Sequence, residues 1–283
     1  MMFKTNKKIS GKRAISPVIS TVIMTGAMVA ILSVALVFAN NFLWARVAEG
    51  DYNSSKQFMQ SVGLQIDDIA WTAGRTETIL YSSQYGGVEL EPDVLTYTIS
   101  VVADGNNYEF TNSTGALMFN LPTYRYSISN DYWARLSPNQ DESLTFKGTS
   151  APIARVFEVE KVPMADGDYI RVVVAPGIRV LFSSINSTTN TYYVRMYLPV
   201  LAAGESPRLS QSITLIGESV KAHTLNDVTS ITVSVDFPFG AFDSAFFNFP
   251  EDSELFDFSS LSGYNNVVLE LYLSEVSVGF GLS

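Results

Sequence analysis

The sequence predicts a mainly β protein on a long N-terminal α-helix, with an apolar transmembrane or assembly helix followed by an antiparallel β-sandwich or jelly-roll-like head. Three observations carry that expectation. Residues 14–45 form 32 consecutive positions without Asp, Glu, Lys, Arg or His, longer than the roughly 20 apolar residues that a bilayer core requires. Apolar residues then recur at helical spacing as far as Thr72. From Thr76 onward, short apolar runs alternate with turn residues in the texture of a β domain.

Taken in order, the chain opens with a basic leader, residues 1–14, in which Lys4, Lys7, Lys8, Lys12 and Arg13 contribute +5. The formal charge of the whole chain is −10, so the remainder carries −15. Such a body excludes nucleic acid as its partner, because phosphate binding needs basic surface. There is no cysteine, which removes disulfides, zinc thiolates and thiol catalysis from consideration.

The helix expected over 15–45 places Pro17 in its first turn, where a missing N–H costs nothing. Basic residues before the span and none directly after it predict a cytoplasmic N-terminus and an extracytoplasmic body, with Phe42 and Trp44 at the interface. Gly26, Ala27 and Ala30 offer small side chains at close spacing for helix packing. Three readings suit the segment: a permanent anchor, a secretory signal cut after Val37-Phe38-Ala39, or a segment processed at its start and then reused. The apolar run exceeds the 7–15 residues of a secretory core, and spanning alone does not call for Pro17 between Ser16 and Ser20.

An amphipathic helix follows within residues 46–75, with Phe58, Val62, Ile66 and Ile69 on one face. Gly50 and Asp51 predict a break before it, and Gly74 a C-terminal stop. In the β domain, 76–283, "YIRVVVA", "YYVRMYLPVL" and "NVVLELYLSEVSV" read as strands. Asp104-Gly105 and Pro176-Gly177 read as turns. A division into two β subdomains is expected near 149–152.

The chemistry-bearing residues are sparse. His223 is the only histidine and is expected in a solvated loop. Asp141 and Glu142, Asp166 and Asp168, and Glu251, Asp252 and Glu254 form acidic clusters, none with the spacing of a calcium-binding EF-hand loop; they are expected to be solvated turns. Residues 237–258 hold eight phenylalanines, expected to wrap the core or, if exposed, to form an adhesive patch. Asn53, Asn112 and Asn186 each open an Asn-X-Ser/Thr acceptor pattern and are candidate glycosylation sites. The residues point to no enzyme, no metal and no cofactor.

Lys12-Arg13-Ala14 followed by Ile15-Ser16-Pro17-Val18-Ile19 and an unbroken apolar helix resembles the class III signal peptide of archaeal type IV pilin-like proteins. The resemblance covers about 35 residues, from Lys12 to Arg46. It implies that a membrane prepilin peptidase cuts between Ala14 and Ile15, with Lys12, Arg13, Ala14, Ile15, Ser16 and Pro17 as the processing site. It further implies that the apolar helix remains on the mature protein and packs with other pilin subunits through a pilus assembly machinery. Bacterial type IV pilins usually carry glutamate at the fifth mature position, where this chain has Ile19, so the resemblance is to the archaeal branch. The mature length of about 269 residues implies a minor or adhesive subunit whose head meets a surface glycan or protein. Two other functions fit the sequence: a single-pass anchored extracytoplasmic binding domain that never polymerises, and an anchored surface glycan hydrolase.

Overall fold

The structure is a computed structural model that describes residues 17–122, 132–138, 143–164, 167–185, 190–205 and 211–281. It contains a long N-terminal helix, α1 (Pro17–Ala70), and a mostly β domain of two curled sheets. The chain divides into two compact units, one ending at Val47 and the other running from Ala48 to Ser283.

The expected break at Gly50-Asp51 is not found: α1 is one 54-residue helix. Asp51 accounts for this locally. Its carboxylate accepts from Ser83 Oγ at 2.8 Å and from Gln84 N at 3.1 Å, so tertiary contacts outweigh the weak helix propensity of both residues. Gly74, just past the helix end, has φ +81°, the left-handed conformation that glycine adopts without strain. Its N–H donates to Gly217 O at 2.7 Å.

The strands are β1 (Thr76–Leu80), β2 (Gly87–Ala103), β3 (Asn106–Pro122), β4 (Trp133–Ser137), β5 (Thr145–Lys147), β6 (Ala154–Met164) and β7 (Gly167–Pro176). They continue with β8 (Ile178–Ile185), β9 (Thr191–Ala203), β10 (Ser212–Leu225), β11 (Val228–Asp236), β12 (Ser253–Asp257) and β13 (Asn266–Phe280); a one-turn helix, α2 (Ser244–Phe247), precedes β12. One sheet has the order β1-β10-β13-β9-β8-β5 and the other β12-β11-β2-β3-β7-β6-β4. Each sheet draws strands from both sides of residues 149–152, so the expected division does not occur there.

Most pairings are antiparallel, but β13 runs parallel to β9 and β5 parallel to β8. The first exception follows from insertion. Strands β9 and β10 run in opposite directions, and the last strand fills the slot between them, where it must be parallel to one neighbour.

Asp104 and Gly105, both at positive φ (48° and 71°), close the β2–β3 hairpin as expected, matching the twist of the flanking strands. Pro176-Gly177 is not a hairpin turn. Strand β7 belongs to one sheet and β8 to the other, so the dipeptide carries the chain across the sandwich. A Cβ on Gly177 would lie 2.3 Å from the Phe146 ring, which is why glycine occupies this corner.

Two hydrophobic clusters result. The first lies between the sheets and includes Tyr97, Ile99, Phe157, Val173, Met196 and Leu271. The second joins Met59, Val62, Ile66 and Ile69 of α1 to Leu117, Phe119, Val172, Val174 and Leu215. Strand β7 serves both: Val173 and Ala175 enter the first, and Val172 and Val174 the second. This explains the continuous apolar run in "YIRVVVA", since a strand buried on both faces loses the usual alternation.

Candidate functional site

From Val18 to Val47 every residue of α1 is exposed, including Met24, Leu32, Leu36 and Phe38. Apolar surface of this extent needs a non-aqueous or protein environment on all sides, and the helix is long and apolar enough to cross a membrane. Three of its hydroxyls are satisfied internally: Thr21, Thr25 and Ser33 donate to the carbonyls of Val18, Thr21 and Val29 at 2.8–2.9 Å. Such back-bonding lets polar side chains sit in an apolar helix without water. Apart from its chain neighbours and the backbone of its own helix, nothing lies within 4 Å of a Cβ built on Gly26, and Ala27 and Ala30 are exposed with it. The Arg46 guanidinium lies over the Phe42 ring at 5.2 Å. Of the expected processing residues, Pro17 opens the described helix, and Lys12, Arg13, Ala14, Ile15 and Ser16 lie outside the described residues.

From Ala48 onward the same helix is part of the head. The expected face is found, with Val62, Ile66 and Ile69 buried and Phe58 packed against Tyr81 and Phe119. Met59, absent from the expected stripe, is also buried. Gly63 permits close approach to the sheet: a Cβ there would stand 2.9 Å from Val156 Cγ2.

Polar contacts fix the helix on the head. Glu158 on β6 has a side chain only 3% exposed. It accepts from Tyr52 Oη at 2.8 Å and pairs with Lys56 Nζ at 3.5 Å, and Lys56 lies over the Tyr52 ring. A hydrogen bond to the same carboxylate holds the Tyr132 phenol above its ordinary pKa. Near the helix end, Asp67 accepts from Trp71 Nε1 at 3.0 Å and pairs with Arg179 at 3.0 Å.

Beside this junction, cross-strand partners on β8, β9 and β13 bring Arg179, Tyr197 and Tyr272 into one row. The two tyrosine rings stack at 4.9 Å, and Arg179 lies over Tyr197 at 4.8 Å. In the next row Arg195 donates to Glu270, which holds the guanidinium above its ordinary pKa. Burial and the neighbouring Glu270 charge raise the Tyr272 phenol. These are the cross-strand pairs that stabilise sheets. No sequence period marks them, because their partners come from separate strands.

The other expected sites fall as follows. Asn53 is exposed on α1, while Ser55 of its triplet is buried and donates to Tyr52 O. Asn112 is half-buried on β3, and its Thr114 is fully buried, accepting from Leu201 N at 2.9 Å. Asn186 lies outside the described residues, as do Asp141, Glu142 and Asp166. Glu254 is tied down by Lys147 at 2.7 Å and by Thr145 N and Oγ1. With Glu251, Ser143 and Ser253 it lines a cavity of about 300 Å³. Among the described residues no group of three or more His, Asp or Glu is placed to hold a metal ion.

His223 is not in a loop. It lies on β10, with its ring 4.8 Å from that of Phe110. The phenylalanine segment wraps the core: Phe242, Phe246, Phe247 and Phe249 are buried, and Phe239 is exposed. Trp133 donates to Phe246 O at 3.1 Å, and Arg155 lies between the Phe146 and Phe249 rings at 4.9 and 4.6 Å. Tyr97, fully buried, donates to Pro176 O at 2.9 Å, and burial pushes its phenol far up.

No protein-family model, curated protein or solved structure matches this chain.

Proposed function

We propose that this chain is a subunit, minor or adhesive, of an archaeal type IV pilus-like surface filament, held in the membrane by its apolar helix before assembly. One combination supports the reading: the Lys12-Arg13-Ala14 leader and Ile15-Ser16-Pro17 motif stand directly before a helix exposed on every side from Val18 to Val47. A helix apolar all round is buried all round. Lipid supplies that environment to an inserted precursor, and neighbouring copies of the helix supply it in a filament core. Prepilin peptidase releases the leader on the cytoplasmic side, and the β domain, which carries 24 Asp and Glu against 10 Lys and Arg, lies outside. The head acts by binding rather than by catalysis.

Mass spectrometry of the N-terminus of membrane or sheared surface material tests the reading. A mature start at Ile15 is expected, and replacing Arg13 with Glu together with Ala14→Leu is expected to abolish it while leaving membrane insertion intact. A start at Met1 or Met2 overturns the filament reading in favour of an anchored binding domain. A start at Asn40 means ordinary secretion, with the helix discarded.

A further inference from the structure

Strand β3 carries two different surfaces on one face. Its odd-numbered side chains are Leu117, Phe119 and Leu121 where α1 covers the strand, all in the helix-side cluster. Toward the hairpin they become Asn107, Glu109, Thr111 and Ser113, all exposed. Pairing extends this bare half across β2, β11 and β12. One row across the four strands reads Ser253, Ser234, Thr98, Thr111; the next reads Leu255, Thr232, Ser100, Glu109. Of the fifteen outward positions nine are Ser or Thr, three are carboxylates (Glu109, Asp236 and Asp257) and none is Lys or Arg. The hydroxyls face one another at contact distance: Thr96 and Ser113 at 2.9 Å, Thr98 and Thr111 at 3.3 Å.

The chemistry of this face restricts what can cover it. The strand already shows what an apolar cover requires, since its side chains turn to Leu and Phe under α1; the bare half is therefore not built for a helix or an acyl chain. Three carboxylates with no cation repel phosphate, anionic lipid and anionic polymers. A second copy of the face would bring six carboxylates together. Its extent, about 500 Å² at ordinary strand spacing and rise, also falls short of the roughly 800 Å² per partner of a stable protein interface. An uncharged polyhydroxyl chain meets none of these objections. Its hydroxyls exchange bonds to water for bonds to Ser, Thr, Asn and carboxylate at little net cost, and short Ser and Thr side chains have little rotamer freedom to lose.

We infer that the hydroxyl face formed by β12, β11, β2 and β3 binds an uncharged polysaccharide. Each face binds weakly, and strength comes from many copies held together. The site itself is independent of polymerisation; only the avidity rests on the filament reading.

The test is retention of the full-length chain, in detergent micelles, on immobilised mannan, dextran and an uncharged β-glucan, with hyaluronate as the anionic comparison. Retention on at least one neutral polymer and none on hyaluronate is expected. Thr98→Val with Thr111→Val and Thr232→Val keeps the β-branched shape and is expected to weaken retention about tenfold by removing three hydrogen-bonding groups, with no change in the unfolding midpoint. Ser100→Lys is an independent second variant and decides the matter if the triple variant is unstable. Absence of retention on every neutral polymer, equal retention by the folded variants, or preference for hyaluronate overturns the inference. None of these results depends on where the mature N-terminus lies, so the two proposals fail separately.

Discussion

Residues 18–47 and 48–70 lie in one helix and obey opposite rules. The first stretch is apolar on every side and exposed on every side; the second is amphipathic, with Met59, Val62, Ile66 and Ile69 buried against two curled sheets and its polar residues held by Glu158 and Arg179. The difference separates two sources of helix stability. Where the head supplies partners, burial and ion pairs fix the helix within the fold. In the first stretch no such burial is present among the described residues, and stability rests on propensity and internal hydrogen bonds.

The comparison breaks most visibly if a charge is placed on the buried face. Ile66→Asp sets an unpaired carboxylate in the helix-side cluster and is expected to cost more than about 4 kcal/mol, enough to unfold the head; loss of the cooperative transition in urea checks this. Leu32→Asp is expected to leave that transition in place and to prevent membrane insertion instead. Next in size is Gly63→Val. Its side chain would collide with Val156, and overpacking of this kind costs about 1–3 kcal/mol, read as a shift of the urea midpoint at constant slope.

How far the sequence revealed these rules differs by scale. The helix and the β texture were legible because periodicity is local: four residues at helical spacing mark the buried face, and 32 uncharged positions mark the exposed one. The Asp104-Gly105 turn was legible for the same reason. The break at Gly50-Asp51 was wrongly expected because Asp51 is held by Ser83 and Gln84, more than 30 residues away. Pro176-Gly177 announces a change of direction, but not that the chain leaves one sheet for the other. The parallel β9–β13 pair, the buried Glu158 and the hydroxyl face all depend on which strands become neighbours, and no window of sequence contains that information.

The polar contacts sharpen the comparison with smaller effects. Glu158→Gln removes the charge facing Lys56 and weakens the bond to Tyr52, with an expected loss of about 1–2 kcal/mol in denaturant titration. Tyr97 tests the interior of the head through pH. Burial raises its folded pKa above the usual tyrosine value of about 10, so the unfolded chain releases this proton first. Its contribution is therefore fully present below about pH 10 and is lost as pH rises beyond that. Tyr97→Phe is expected to cost about 1 kcal/mol at neutral pH through the orphaned Pro176 carbonyl. It should also reduce the alkaline loss of stability, measured as unfolding midpoints on either side of pH 10.

The smallest expected effect is the most informative about the exposed stretch. Leu32→Ala deletes apolar surface that is already exposed, since Leu32 is 60% exposed. A buried leucine-to-alanine change costs about 2–5 kcal/mol because it withdraws contacts and leaves a cavity. Neither loss arises here, so the unfolding midpoint of the head in detergent should not move. The same substitution should weaken whatever association the helix makes with other copies, measured by crosslinking in membranes, because only that environment gives Leu32 neighbours to lose. A midpoint shift as large as that of a core leucine would mean that the exposed stretch belongs to the head after all, and the division of one helix between two rules would fail.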